Sequence, residues 1–255
     1  MTRDPTAELG SGSVIARTIY PDLAMIRSPD RATLALGFTC ALVLPASAYA
    51  AVGVCRPSCA PTDLACNAAV ALCEARIRAF DVYMDQIDTG QPKYALPAVY
   101  QDVLRPHYPQ VNLAEVRFAF SDQQPPDNAT TDCNNIYFND ASYVTALRNA
   151  DPNPRLLWLL HELTHPEQCA AAGGREGYAK RWWNELEAAV RASGETVNVL
   201  QPLEQLVKQI GELYARVHST MPMEQAADAK AEAVLADLRV CCLAADGTLT
   251  RPRAD

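Results

Sequence analysis

Leu156 to Cys169 constrains this chain more than any other stretch, because four leucines and a tryptophan run directly into the pentapeptide His161-Glu162-Leu163-Thr164-His165, which holds a fifth leucine. A run this apolar predicts a helix buried on most of its circumference. Residues i and i+4 share a helix face, so His161 and His165 offer two imidazoles to a single ion. Glu162 stands one residue round from the first of them, where its carboxylate reaches a water on that ion without ligating it. The remaining histidine-bearing edge has to face a cleft, and the rest of the fold must supply that cleft's other wall.

Two histidines need a third protein ligand if the fourth position is to stay with water. Met221-Pro222-Met223-Glu224-Gln225-Ala226-Ala227-Asp228 opens another predicted helix, with Pro222 in its first turn. Glu224 and Asp228 then share a face, so that Glu224 can ligate while Asp228 accepts a hydrogen bond from the far ring nitrogen of a ligand histidine. Glu185, in Trp182-Trp183-Asn184-Glu185, competes for the ligand role, but its i+4 residue is Ala189, which offers no supporting carboxylate. Glu224 is therefore preferred.

These residues carry a family resemblance. An HExxH motif followed by a glutamate with an aspartate four residues on resembles the gluzincin metallopeptidases, the thermolysin-like branch of the zincins. His161 to His165 with Gln168, and the later Pro222-Met223-Glu224, are similar to a family of bacterial, often secreted, metallopeptidase domains whose motif reads HELTHxxQ. The resemblance runs from about residue 130 to about residue 235, and its specific part is the zinc motif. It implies a zincin-like fold in which His161, His165 and Glu224 hold one Zn2+ ion and Glu162 is the catalytic base. The gap between His165 and Glu224 is much longer than in the thermolysin pattern.

The N-terminal part bears on compartment. An apolar run from Thr33 to Leu44 follows Arg27 and Arg31 and precedes Ala46-Ser47-Ala48-Tyr49-Ala50, the three parts of a secretory signal peptide over residues 25–50. The run is too short to span a bilayer comfortably, and the alternative to cleavage after Ala50, an uncleaved membrane anchor, would still place the rest of the chain outside the cytoplasm. Met25-Ile26-Arg27 makes a natural beginning, so residues 1–24, polar and unpatterned, are expected to be a mis-assigned start or a disordered extension. Of nine cysteines, Cys40 lies in this leader. The other eight, Cys55, Cys59, Cys66, Cys73, Cys133, Cys169, Cys241 and Cys242, predict disulfides in an exported, periplasmic or secreted chain. Cys241 and Cys242 are expected to bond to different partners, since a bridge between neighbours is strained. A staple from the N-terminal helix to the C-terminal one is the expected use.

Residues 51–255 suffice for one domain with a sizeable core. A formal net charge of −8, with no cluster of Lys and Arg, argues against nucleic acid. Helical periodicity covers Pro61 to Ile87 in a Cys-rich part over residues 51–90, then Leu96 to Leu104, Arg175 to Ala192, Leu203 to His218 and Pro222 to Cys242. Val116 to Phe120 and Asn135 to Phe138 read as strands, with Ser121 to Thr131 as the loop between them. Residues 244–255 read as a loose tail. The expected class is α+β and mainly helical, a disulfide-stapled zincin-like domain whose HExxH helix packs on a small sheet. Asn134 to Phe138 is the candidate edge strand against which an extended peptide would align.

The function this predicts is an exported zinc-dependent metallopeptidase acting on a peptide or protein substrate, with no membrane span in the mature chain. His218 is the first candidate for a donor to the developing oxyanion, with Tyr137 and Tyr214 behind it. The rival is a non-catalytic binding or envelope-associated module stabilised by metal, for which Cys169, at i+4 from His165, could close the ion's fourth position. Hydrolysis of another amide, such as a cell-wall crosslink, is compatible with the same residues.

Overall fold

The computed structural model describes residues 59–124, 127–195 and 203–251. In chain order the elements are α1 (Leu64–Ile87), β1 (Tyr94–Ala95), α2 (Ala98–Leu104), β2 (Arg117–Phe120), β3 (Ala129–Asp132), β4 (Asn135–Phe138), α3 (Ala141–Asn149), α4 (Leu156–Ala171), α5 (Arg175–Ala192), α6 (Leu203–Val217), a 3-10 turn (His218–Thr220) and α7 (Pro222–Cys241). The structure is mainly helical, with one small mixed sheet. All described residues lie in one compact unit, Ala46–Asp255. The extension expected at 1–24, the leader at 25–50, and Cys55 fall outside them. No helix among the described residues is long and apolar enough to cross a membrane.

Alternation along the strands sorts the core into two halves. Phe118, Ile136 and Phe138 face a cluster built from α2, α3, α4 and α7, including Tyr100, Leu147, Leu159, Leu163 and Leu238. Ala119 and Tyr137 face the other way, into Phe80 and Met84 of α1, Trp182 and Trp183 of α5, and Leu213 of α6. With both faces covered, β4 needs apolar residues on each, and Ile136, Tyr137 and Phe138 are all buried.

That burial corrects the edge assignment. The strand order is β1-β2-β4-β3, with β4 parallel to β2 on one side and antiparallel to β3 on the other, so β4 is interior. The outer strand beside the HExxH helix is β3, Ala129-Thr130-Thr131-Asp132, whose first three residues fall in the segment expected to be loop. Two residues, Cys133 and Asn134, turn β3 into β4. Cys133 adopts a left-handed backbone, φ 49°, unusual for a residue with a side chain, and is tied by a disulfide to Cys169 on α4.

α3 was not expected either. Asp140 starts it by accepting from the Tyr143 N–H, and Ala150 ends it with φ 56°. The tail is not loose as far as Arg251: Leu243 pairs with Leu249, Leu249 is buried, and the Asn153 N–H donates to the Gly247 carbonyl. A Cβ at Gly247, where φ is 88°, would stand 2.7 Å from the Asn153 carbonyl carbon.

The disulfides also differ from expectation. Cys59 bonds to Cys66, Cys133 to Cys169, and Cys241 to its neighbour Cys242. Separate partners for the last pair are thereby overturned: Cys241 and Cys242 fall where α7 ends, and the change of backbone at Cys242 (φ −154°) directs the two side chains together. Among the described residues no disulfide links the first helix to the last. Cys133–Cys169 instead binds the sheet to the HExxH helix.

Gly173 and Gly174 join α4 to α5, and Gly177, in the first turn of α5, lies close against the end of α4. A Cβ there would lie 1.9 Å from the Ala172 carbonyl oxygen, which is backbone and cannot swing away. Gly177→Ala is accordingly expected to destabilise the protein by about 1–3 kcal/mol despite the better helix propensity of alanine, measurable as a lower urea midpoint.

Candidate metal centre

α4 and α7 pack along one another, with His161 opposite Asp228 and Gln168 opposite Met223. Apolar residues of both helices, among them Leu160, Leu163, Ala231 and Val234, seal the core side. The Lys230–Glu167 ion pair ties the two together. The polar stripes of the two helices are thereby brought face to face. His161 Nε2 lies 3.1 Å from Glu224 Oε2, and His165 Nε2 lies 3.5 Å from the same oxygen. All three ligand atoms fall within 4.8 Å of one another. His165 and Glu224 are 4% and 2% exposed, whereas the His161 side chain keeps 15% of its surface open.

Each imidazole is held from behind. His161 Nδ1 lies 2.8 Å from Asp228 Oδ1, and a carboxylate oxygen accepts, so Nδ1 donates to Asp228 while Nε2 is turned to Glu224. His165 Nδ1 lies 3.0 Å from Gln168 Oε1. Gln168 Nε2 in turn donates to the Met223 carbonyl at 2.8 Å, which fixes which end of the amide meets the histidine. Sequence reading reached Gln168 only through the family motif, since a glutamine three residues on has no chemical signature of its own.

Glu162 is 4% exposed, and one of its oxygens accepts from the Thr131 hydroxyl of β3 at 2.6 Å. Glu185 stands elsewhere. Its carboxylate accepts from the Met223 N–H at 2.6 Å and from Arg181 at 2.8 Å, so it caps the start of α7 rather than joining the histidines. Cys169, the residue that could have closed a fourth position, is bonded to Cys133.

Of the residues named for oxyanion binding, His218 lies in the 3-10 turn with its ring 5.4 Å from that of Tyr214. Tyr214 donates to Glu224 Oε1 at 3.0 Å. Tyr137 is directed away, toward Lys93 and Asp88, and burial pushes its phenol up to about 12 against the opposing pull of Lys93. Tyr178 was overlooked: it is buried edge-on to His165 at 6.3 Å, and burial, reinforced by the charges of Glu224 and Glu162, drives its phenol well above the ordinary range. It comes from α5, and no spacing rule connects it to the motif.

The protonation balance follows from this crowding. Burial pulls the His161 imidazole down, but Asp228 and Glu224 outweigh it and hold its pKa up at about 10. Burial opposes a charge on His165 too, and Glu224 again prevails. On Glu224 burial acts upward, and the two imidazoles reverse it, keeping the carboxyl well below the usual carboxylate range. A group whose pKa is raised by folding stabilises the fold while protonated. The His161 contribution is therefore full below its ordinary value of 6.5 and is lost as pH rises through about 10. In chelator, urea resistance of the metal-free protein should fall between pH 7 and pH 10, and His161→Ala should flatten that fall.

No protein-family model, curated protein or solved structure matches this chain.

Proposed function

We propose that the chain is a zinc-dependent metallopeptidase with a zincin-like fold, in which His161, His165 and Glu224 hold one Zn2+. One observation carries this reading: Glu224 Oε2 lies 3.1 and 3.5 Å from the two imidazole nitrogens. Donors bonded at about 2.0–2.1 Å to a tetrahedral ion stand about 3.3 Å apart, which the two glutamate–imidazole separations match, and all three donors lie within 4.8 Å of one another. Asp228 behind His161 and Gln168 behind His165 supply the orienting partners that such ligands need.

The bound ion would supply Lewis acidity, polarising a carbonyl and acidifying a water. Glu162, with one oxygen pinned by Thr131, is the proposed acceptor of that water's proton and its donor to the leaving amine. His218 and Tyr178 are the proposed donors to the oxyanion. The outer edge of β3, beside Glu162, is where an extended peptide would pair. The engagement of Cys169 in a disulfide leaves the closed, structural alternative without its expected fourth ligand. The disulfides support action in an oxidising compartment, the periplasm or outside the cell.

The test is zinc stoichiometry of the oxidised protein together with cleavage of a broad peptide library. One zinc per chain and chelator-sensitive cleavage are expected. Stoichiometric zinc without any cleavage would favour the metal-stabilised binding module, and absence of zinc would overturn both.

A further inference from the structure

We propose that Tyr214 is a positioning residue of the metal centre, holding Glu224 to one-oxygen coordination and so keeping room on the ion for water and substrate. The inference rests on the metal reading above and concerns how the ion would be held.

A carboxylate can meet a cation through one oxygen or through both. With both, two imidazoles and Glu224 make four protein bonds, which is the closed pattern of a structural zinc site; with one, they make three. The two oxygens of Glu224 are already differentiated. Oε2 faces both imidazoles, at 3.1 and 3.5 Å, while Oε1 accepts from the Tyr214 hydroxyl at 3.0 Å. Turning Oε1 onto the ion would break that bond at a carboxylate that is 2% exposed, leaving the half-buried Tyr214 hydroxyl without this acceptor.

The tyrosine is poorly placed to follow. Its ring packs against Trp182 at 5.4 Å and His218 at 5.4 Å, and its helix is joined to α7 through the 3-10 turn and the buried Met221. Glu224 therefore meets the ion in an orientation set from α6, a segment distant in sequence from the HExxH motif.

Cobalt(II) makes the arrangement visible without a peptide substrate. The full-length oxidised protein and its Tyr214→Phe variant are loaded with cobalt, their visible d–d bands are recorded, and acetohydroxamate is titrated in as a probe of open positions. The expected result is stoichiometric cobalt in both proteins, a changed band in the variant, and acetohydroxamate binding at least roughly tenfold weaker there. Identical bands and affinities would overturn the proposal. Zinc-edge X-ray absorption of the unaltered protein tests it independently of whether the variant folds: a carboxylate carbon at the short distance of two-oxygen coordination would overturn it. Failure of the unaltered protein to take up either metal would show instead that the underlying site reading is wrong.

Discussion

Glu162→Gln is expected to keep its zinc and lose its activity. Glutamine preserves the shape of the side chain and an oxygen that can accept from Thr131, so the buried surroundings of Glu162 are disturbed little. It removes the basic oxygen. Peptide hydrolysis should fall by roughly two to four orders of magnitude, the usual contribution of general acid–base catalysis. Elemental analysis alongside kcat/KM on a cleaved peptide checks both halves, and a variant that loses metal and activity together would place Glu162 among the ligands. Retained activity would remove it from the mechanism.

The second large effect separates two glutamates. His161→Ala, His165→Ala and Glu224→Ala should each sharply reduce zinc content, because each deletes one of three protein donors. Glu185→Ala should leave zinc in place while lowering stability by about 1 kcal/mol, since it strips the Met223 N–H of its acceptor at the start of α7. Dialysis against limiting zinc followed by metal analysis makes the comparison. If Glu185→Ala alone released the metal, the assignment of Glu224 would be wrong.

What the sequence disclosed depended on how local each signal was. The HExxH helix and the Glu224–Asp228 pair were readable because one helical period of four residues carries both. α5 was legible to the residue because Gly173-Gly174 marks its start and its apolar stripe is continuous. β3 was missed since Ala-Thr-Thr-Asp has no apolar alternation, and it is a strand by virtue of its pairing with β4. The edge was misplaced for the complementary reason: alternation along a four-residue strand does not reveal that a sheet is covered on both faces. α3 is short and half-polar, so its apolar periodicity is weak. Tyr178 and Tyr214 reach the centre from α5 and α6 through tertiary packing alone, which no spacing within the chain encodes.

The Gln168 amide spans His165 and the backbone carbonyl of Met223, the residue immediately before Glu224. The two helices are thus set in register by protein atoms at the point where they would share an ion. Folding and oxidation would then not depend on the ion, and the metal-free chain should still unfold cooperatively in chelator. Such a protein could pass through a metal-poor compartment intact and be activated by zinc supply alone, in contrast to small domains that remain unfolded until metal reaches them.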